Sequence, residues 1–155
     1  MIRFINQNLE LANIMNDWIN DEIIEFALFE YNFTDEYNYY NKTDMLPEIE
    51  KYNLYAVFDD ELLIGYITLV RFKDDKIYGY TINPIVVNPK YQNKGYGKKI
   101  ISKVIENIKT NLFDKASYIE SIIDDMNFKS IKMFTACGFK PIQNGVNYKT
   151  YRYDL

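Results

Sequence analysis

Two glycines in a lysine-rich segment are the first candidates for chemistry in this 155-residue sequence. Gly95 and Gly97 follow an apolar run and precede a stretch with helical spacing, so the chain passes there through a turn into a helix. The first turn of a helix has unpaired N–H groups and a partial positive charge, both of which suit a phosphate oxygen. Glycine allows the backbone to approach such an anion closely. Residues 84–99 therefore predict a site for a phosphorylated ligand, with positive potential from nearby lysines: Lys90, Lys94, Lys98 and Lys99.

Two common phosphate-binding loops do not fit this segment. The dinucleotide pattern G-x-G-x-x-G fails because Ile100 stands where its third glycine should be. The P-loop pattern G-x-x-x-x-G-K-[ST] fails because Lys98 is followed by Lys99 and no glycine stands five residues before Gly97. On its own the segment also allows a second interpretation, a glycine-rich helix entry that binds nothing.

The elements that position this segment follow from hydrophobic spacing. The pattern predicts strands at residues 2–5, 54–58, 62–72, 77–87, 118–123, 139–142 and 148–153, and helices from residue 8, after residue 91 and at 127–136. Residues 31–41 have no strong period and predict a loop or short helices, and residues 43–48 predict another helix start. Pro84 cannot donate a ladder hydrogen bond, so it predicts a bulge or a splayed edge in its strand. We expect one α/β domain over residues 1–155 with a mostly antiparallel sheet.

Several short motifs together resemble the GNAT acetyltransferase family. Gln92-x-x-Gly95-x-Gly97 is similar to the family's Q/R-x-x-G-x-G/A signature, and the preceding residues 84–89 resemble its fourth strand. Asn127 and Phe134 belong to a run that resembles the family's second motif. Residues 57–67 are similar to its second and third strands, so the resemblance extends over residues 54–139 in the same order.

The resemblance implies a GNAT-like α/β fold with six to seven strands in a mixed, twisted sheet that is flanked by helices and splayed between the fourth and fifth strands. It implies acetyl-CoA as co-substrate and a primary amine as acceptor, with direct transfer and no covalent enzyme intermediate. The pantetheine arm should pair with backbone groups of Ile85, Val86 and Val87, with Asn127 on its other side and Phe134 near the sulfur. The pyrophosphate should be held by backbone amides of the turn: Gln92, Asn93, Lys94, Gly95, Tyr96, Gly97 and Lys98.

Phe134 departs from many relatives, which have tyrosine there as the proposed acid for the departing thiolate. Phenylalanine cannot donate a proton, so either no protein acid is needed, another group serves, or the protein is a degenerate acyl-CoA-binding or regulatory module. A charged amine must also lose a proton before it attacks. Glu120, on the strand beside the gap, is our candidate for the base, and Asp124 and Asp125 are weaker candidates.

Composition excludes several other functions. The chain has no histidine and one cysteine, Cys137, which rules out a Ser-His-Asp or Cys-His triad and leaves a zinc site without its preferred ligands. We therefore expect no metal and an inert, packed thiol. A net charge of −4 disfavours nucleic-acid binding. With no signal peptide and no apolar run of the ~20 residues that span a membrane, we expect a cytoplasmic protein without a membrane partner.

Charge is distributed unevenly along the chain. Residues 1–60 contain thirteen acidic and three basic residues, a balance of −10, whereas residues 61–155 have a balance of +6. By the resemblance, the acidic part forms the acceptor side of the cleft, and it contains Glu22 and Glu25. This predicts a cationic amine, either a small molecule or a peptide, because a negative surface attracts cations and repels anions. Solvated helix faces are the other interpretation, and a homodimer is left open.

Overall fold

The computed structural model describes residues 1–22, 24, 28, 30–42 and 49–155. The helix start predicted at residues 43–48 and the acidic Glu25 lie outside these residues. In chain order the described elements are β1 (Ile2–Asn6), α1 (Leu9–Asn16), a 3-10 helix (Asp17–Asn20), α2 (Phe33–Lys42), β2 (Ile49–Asp59), β3 (Leu62–Asp74), β4 (Ile77–Val87), a 3-10 helix (Pro89–Tyr91), α3 (Tyr96–Lys109), β5 (Tyr118–Asp124), α4 (Phe128–Ala136), β6 (Lys140–Asn144) and β7 (Tyr148–Asp154).

The described strands form one mixed sheet of seven strands in the order β1-β2-β3-β4-β5-β7-β6. Strands β1 to β4 pair antiparallel with their sequence neighbours, and β7 pairs antiparallel with both β5 and β6. Among these described strands only β4 and β5 run parallel, because helix α3 carries the chain back across the sheet between them. The predicted α/β class and the mixed, mostly antiparallel sheet are confirmed.

Strands β4 and β5 separate soon after they meet. They pair only where Gly79 to Thr81 lie opposite Tyr118 to Glu120. On the other side of β4 the register slips, because Leu69 lies opposite Ile82 but Ile67 lies opposite Ile85. The extra residue of this bulge falls at Asn83 and Pro84, as expected where proline cannot donate a ladder hydrogen bond. The predicted splay between the fourth and fifth strands is therefore confirmed.

The two faces of the sheet bury different cores. Helices α3 and α4 cover a largely aliphatic core, to which α3 contributes the predicted apolar face: Ile100, Ile101, Val104, Ile105 and Ile108. Helices α1 and α2 cover a smaller core on the opposite face, in which Trp18, Phe33 and Tyr66 are packed edge to face. The splay opens between these two layers.

Helix α2 is longer and more regular than the loop or short helices expected for residues 31–41. Asn32 caps its start, since Asn32 Oδ1 accepts a hydrogen bond from Asp35 N at 3.0 Å. Asn16, the last residue of α1, also fixes the start of α2, because its Oδ1 accepts a hydrogen bond from Phe33 N at 2.9 Å. Phe33 is then 1% exposed in the second core, so tertiary packing fixes a helix that its own periodicity does not indicate.

No helix in the described part of the chain is long and apolar enough to cross a membrane.

Candidate active site

The splay opens into a cleft of about 790 Å³ between the separated ends of β4 and β5. Eleven of the twelve residues predicted to bind the cofactor line this cleft, namely Ile85, Val86, Val87, Gln92, Asn93, Gly95, Tyr96, Gly97, Lys98, Asn127 and Phe134. Lys94 is not among them; its Nζ lies 5.6 Å from the centre of the Tyr91 ring. The structure thus brings the predicted set together, and their part in binding stays a prediction.

The start of α3 leaves donors without partners inside the helix. Gly95 is the N-cap residue, in a left-handed conformation with φ 80°, and no side chain of the described residues caps the helix there. The first amide bonded within the helix is that of Lys99, which donates to Gly95 O at 3.2 Å. The N–H groups of the first turn, from Tyr96 to Lys98, therefore have no intrahelical partner and line the cleft as donors for an anion.

The two glycines of the turn serve different purposes. A Cβ atom on Gly95 would meet no heavy atom within 4 Å, so this glycine is required for its positive φ. A Cβ atom on Gly97 would lie 2.2 Å from Met133 Sδ, so this glycine lets α3 pack closely on α4. Gly97 thus makes room for a methionine of the neighbouring helix, and the expectation that both glycines let a pyrophosphate approach the backbone stays a prediction.

The inner wall of the cleft is an unpaired strand edge. The Ser121 hydroxyl donates to Ile82 O at 3.1 Å, directly beyond the last residue pair of β4 and β5. Past this point no described strand pairs with β4 on the side of β5, so backbone groups of residues 83–87 face the cleft. Such an edge can pair with an extended ligand that contains amides.

Helix α4 supplies the opposite wall and two cations that sequence reasoning missed. Asn127 caps this helix, with Oδ1 accepting from Ser130 N at 3.2 Å, while its amide nitrogen has no partner among the described residues. Lys129 and Lys132 also line the cleft, and Lys129 Nζ lies 3.4 Å from Gln92 Oε1. The sequence contained a signal for both lysines. Lys129 and Lys132 follow the cap residue Asn127 by two and five residues and, being three residues apart, lie on the same face of the helix.

Phe134 closes the deep end of this wall. Its side chain is 1% exposed and packs edge to face on Phe139, with ring centres 5.0 Å apart. Because the ring has no polar atom, this position offers the cleft no proton donor.

The predicted base Glu120 is already paired. Its Oε2 accepts from Arg152 Nη2 at 2.8 Å and from Nε at 3.2 Å, and it is not among the described residues that line the cleft. Asp125 is likewise paired, with Lys149 at 3.1 Å. Asp124 lines the cleft, but its Oδ1 accepts from Met126 N at 2.7 Å in the turn that leads to α4. Glu120 as general base stays a prediction, and its bidentate ion pair weighs against it.

These features form a cleft in the break of the sheet, lined by backbone N–H groups and lysines that are complementary to an anion. The sequence profile described as the acetyltransferase (GNAT) family matches residues 14–139, and the chain belongs to this family.

Solved structures with the same fold are numerous. An acetyltransferase from Thermus thermophilus superimposes with a TM-score of 0.75 at 13% identity, covering 100% of this chain and 97% of its own. The Campylobacter jejuni N-acetyltransferase PseH, solved with acetyl coenzyme A, gives 0.70 at 14% identity and covers 99% of both chains. The Vibrio cholerae spermidine N-acetyltransferase, solved with CoA and spermine, gives 0.71 at 18% identity, covering 97% and 92%. No curated protein matches the sequence significantly.

Proposed function

We propose that this protein transfers the acetyl group of acetyl-CoA to a primary, cationic amine in a ternary complex. The observation that carries the proposal is the meeting of two unpaired backbone surfaces in one cleft. The edge of β4 faces the cleft without a partner among the described strands, and the first turn of α3 adds free N–H groups at its end. A ligand with an amide-containing arm and a pyrophosphate satisfies both surfaces at once.

Different residues of the cleft would bind different parts of the cofactor. Backbone groups of Ile85 to Val87 would pair with the pantetheine arm, and the Asn127 amide would donate to it from the other side. Backbone amides of Gln92 to Lys98 would bind the pyrophosphate, with Lys98, Lys129 and Lys132 adding positive charge along the same cleft. When bound, acetyl-CoA supplies an activated thioester.

Direct transfer is supported by the position of the one cysteine. Cys137 follows α4 and is not among the described cleft residues; its Sγ is 4.0 Å from Lys98 O. Burial raises the pKa of the Cys137 thiol, so less of it is the thiolate that attacks a thioester. With no histidine in the chain, there is no side chain of the usual kind to activate it. The amine therefore attacks the thioester itself.

A cationic acceptor is supported by charge on the other side of the cleft. Ile24 and Leu28 line the cleft from the acidic N-terminal part of the chain, and Glu22 and Glu30 beside them in sequence are exposed. Such a surface raises the encounter rate of cations in a salt-dependent way. The same fold serves a spermidine N-acetyltransferase in Vibrio cholerae. A polyamine, an aminoglycoside-like amine or a basic peptide would fit, whereas an acidic amino acid would not.

The buried Phe134 supports a second candidate, an acyl-CoA-binding module without turnover. A relative that lacks a proton donor at this position could still bind the cofactor. We favour the enzyme, because a thiol with a pKa of about 8.5 departs as thiolate near neutral pH without an acid.

The test is a pair of measurements on the intact protein. Calorimetry with acetyl-CoA measures binding, and release of free CoA thiol with a panel of cationic, neutral and anionic amines measures turnover. We expect binding and thiol release with cationic amines, with kcat/KM falling as salt rises. Binding with no release for any amine would establish the module instead, and a preference for anionic amines without salt dependence would refute the cationic acceptor.

A further inference from the structure

Glu36 of α2 is a carboxyl group that no cation neutralises among the described residues. The Thr68 hydroxyl donates to its Oε1 at 2.9 Å, and the hydroxyls of Thr68 and Tyr66 are 3.0 Å apart. Because the Thr68 hydroxyl has one proton, which it donates to Glu36, the Tyr66 hydroxyl is a donor in this group. The other carboxyl oxygen, Oε2, is buried and has no hydrogen-bond partner among the described residues. A buried acceptor without a donor is uncommon in proteins and calls for an explanation.

The sheet register places this carboxyl level with the break in β4. Thr68 lies between Ile67, which is opposite Ile85, and Leu69, which is opposite Ile82, so it faces the bulge at Asn83 and Pro84. Asn83 and Pro84 line the cleft at the point where β4 and β5 separate. Glu36 therefore lies one strand away from the deep end of the cleft, on the face covered by α1 and α2.

The surroundings of Glu36 keep its proton affinity high. Burial raises the pKa of Glu36 to about 7, against a smaller lowering by the hydroxyls of Thr68 and Tyr66. Burial also raises the pKa values of Tyr66 and Tyr40, which face the carboxyl from β3 and from α2, so both phenols are neutral. Tyr40 packs in turn on Tyr52 of β2, with ring centres 4.2 Å apart. A base of this kind exchanges protons near neutral pH, where general-base catalysis is most effective.

We infer that Glu36 accepts the proton that the acceptor ammonium must lose before it attacks. The inference rests on the proposed function and extends it to one residue. Since Glu36 lies behind the cleft wall rather than in it, we expect one water molecule between the amine and Oε2, as general-base catalysis permits. The orphaned oxygen is then the acceptor of that water's hydrogen bond.

The step balances in atoms and charge. The ammonium gives one proton through water to the Glu36 carboxylate, which becomes a carboxylic acid. The freed nitrogen lone pair forms the C–N bond, the C–S bond of the thioester breaks, and sulfur leaves with the electron pair. The remaining excess N–H proton neutralises the thiolate, and Glu36 returns its proton to solvent after the amide has formed.

Ion pairing distinguishes Glu36 from Glu120 and Asp125, whereas Asp124 at the end of β5 accepts a backbone hydrogen bond from Met126 N. Arg152 forms an ion pair with Glu120, and Lys149 forms one with Asp125. Glu36 has hydroxyl neighbours only, and none of the ion pairs among the described residues includes it. Among Glu36, Glu120 and Asp125, it is thus the carboxyl without an ion-pair partner among the described residues.

The first experiment compares Glu36→Gln with the matched control Asp35→Asn. Asp35 is the neighbouring, exposed acid on the same helix, so the control removes the same charge without touching the cleft. We expect Glu36→Gln to lower kcat for the best amine about 100-fold, with KM for acetyl-CoA unchanged, and to abolish the fall of kcat/KM below about pH 7. Asp35→Asn should keep both the wild-type kcat and the acid limb, that is, the fall of kcat/KM at low pH. Wild-type turnover and pH profile in Glu36→Gln would overturn the inference.

A second variant should shift the pKa of Glu36 without removing its carboxyl group. The Thr68 hydrogen bond lowers the pKa of Glu36, so Thr68→Val, which has nearly the same shape, should shift the acid limb of kcat/KM to higher pH. A residue that merely supports the fold would change the rate without moving this midpoint. An unmoved midpoint in a folded Thr68→Val protein would overturn the assignment of the limb to Glu36.

A third readout is independent of turnover. Trp18, the one tryptophan, packs on Phe33 with ring centres 5.9 Å apart, and Phe33 packs on Tyr66 at 5.1 Å. We expect Trp18 fluorescence to titrate near pH 7 in the wild type and not in Glu36→Gln, with a lower midpoint when spermidine is bound, because a cation favours the carboxylate. The inference is overturned if Trp18 fluorescence shows no transition near pH 7 and spermidine causes no shift of its midpoint. Failure of every amine to release thiol despite this titration refutes the proposed function, and with it the catalytic role of Glu36, but leaves its titration established.

Discussion

The two sides of the break in the sheet are built differently. On the cofactor side, formed by β4, α3 and α4, the ligand would be held by backbone groups and lysines around a rigid aliphatic core. On the proposed acceptor side, formed by α1, α2 and the facing surface of β3, the core includes Trp18, Phe33 and Tyr66, and the Glu36 carboxyl lies beside it. Backbone recognition suits a ligand that is the same throughout a family, whereas side-chain recognition suits an acceptor that differs between members. The comparison makes predictions for each side.

The largest expected effect is on the cofactor side, at Gly97. Replacing it with valine places branched carbons where the proposed pyrophosphate must approach the first turn, and Met133 Sδ must shift to admit them. We expect acetyl-CoA affinity to fall about 100-fold, or about 3 kcal/mol, by calorimetry. The double variant Gly97→Val with Met133→Ala makes room for the new carbons and should recover part of the loss. Unchanged affinity in a folded single variant would contradict the placement of the cofactor.

The next effect is on the stability of the acceptor side. A carboxyl whose folded-state pKa is raised to about 7 contributes stability below its ordinary value of 4.5, and this contribution is lost as pH rises through about 7. The Glu36→Gln variant has no carboxyl at this position, so it does not lose stability in this way as pH rises. Its free energy of unfolding relative to wild type should therefore increase between about pH 5 and pH 8, by on the order of 2 kcal/mol in urea titrations.

Asp35→Asn serves as the control for that measurement, because its carboxyl is exposed and lies on the same helix. Its unfolding free energy relative to wild type measures the effect of removing an exposed carboxyl from this helix over the same range. If Glu36→Gln behaves like Asp35→Asn, the carboxyl at Glu36 titrates normally and the contrast between the two sides is weaker than the structure indicates.

A smaller effect should come from the lysines of the cofactor side. Replacing Lys129 and Lys132 together with glutamine removes two cations that line the cleft, which should weaken acetyl-CoA binding about fivefold and reduce its dependence on salt. The control pair is Lys76 and Lys140, which are exposed and are not among the described cleft residues. Equal losses in both pairs would mean that the effect comes from net charge rather than from position.

The smallest effect concerns Phe134, where the cofactor side reaches the reacting atoms. Phe134→Tyr adds one oxygen at a cleft residue and should be tolerated by the fold. We expect kcat to rise about two- to threefold, most clearly at low pH, if departure of the thiolate limits turnover. A kcat that is the same at every pH would show that the wild-type protein needs no acid at this position.

The cofactor side could be predicted from the sequence almost residue by residue. Its signals are local, because Pro84, Gly95 and the apolar face of α3 each act on a few neighbouring positions, and the sheet breaks and the helix begins accordingly. Lys129 and Lys132 could have been added from their spacing to Asn127 on one helix.

The acceptor side could not be predicted in the same way, because its contacts join distant parts of the chain. Glu36 meets Thr68 across 32 residues, and Glu120 meets Arg152 across another 32, through the register of β5 and β7. No periodicity in the sequence shows that one of these carboxylates is ion-paired and the other is not. The cap at Asn32 was a local signal for α2, whereas the bond from Phe33 N to Asn16 spans 17 residues.

The short pairing of β4 and β5 has a thermodynamic consequence. Three residue pairs join two half-sheets, one of four strands and one of three, and the cleft lies where further pairs would be. A ligand that pairs with the edge of β4 completes the sheet, and it binds the folded chain but not the unfolded one. The cellular concentration of that ligand then sets part of the protein's stability, about 2.7 kcal/mol when the free ligand is at one hundred times its dissociation constant. With acetyl-CoA as the proposed ligand, the chain without it should melt at a lower temperature and be degraded sooner.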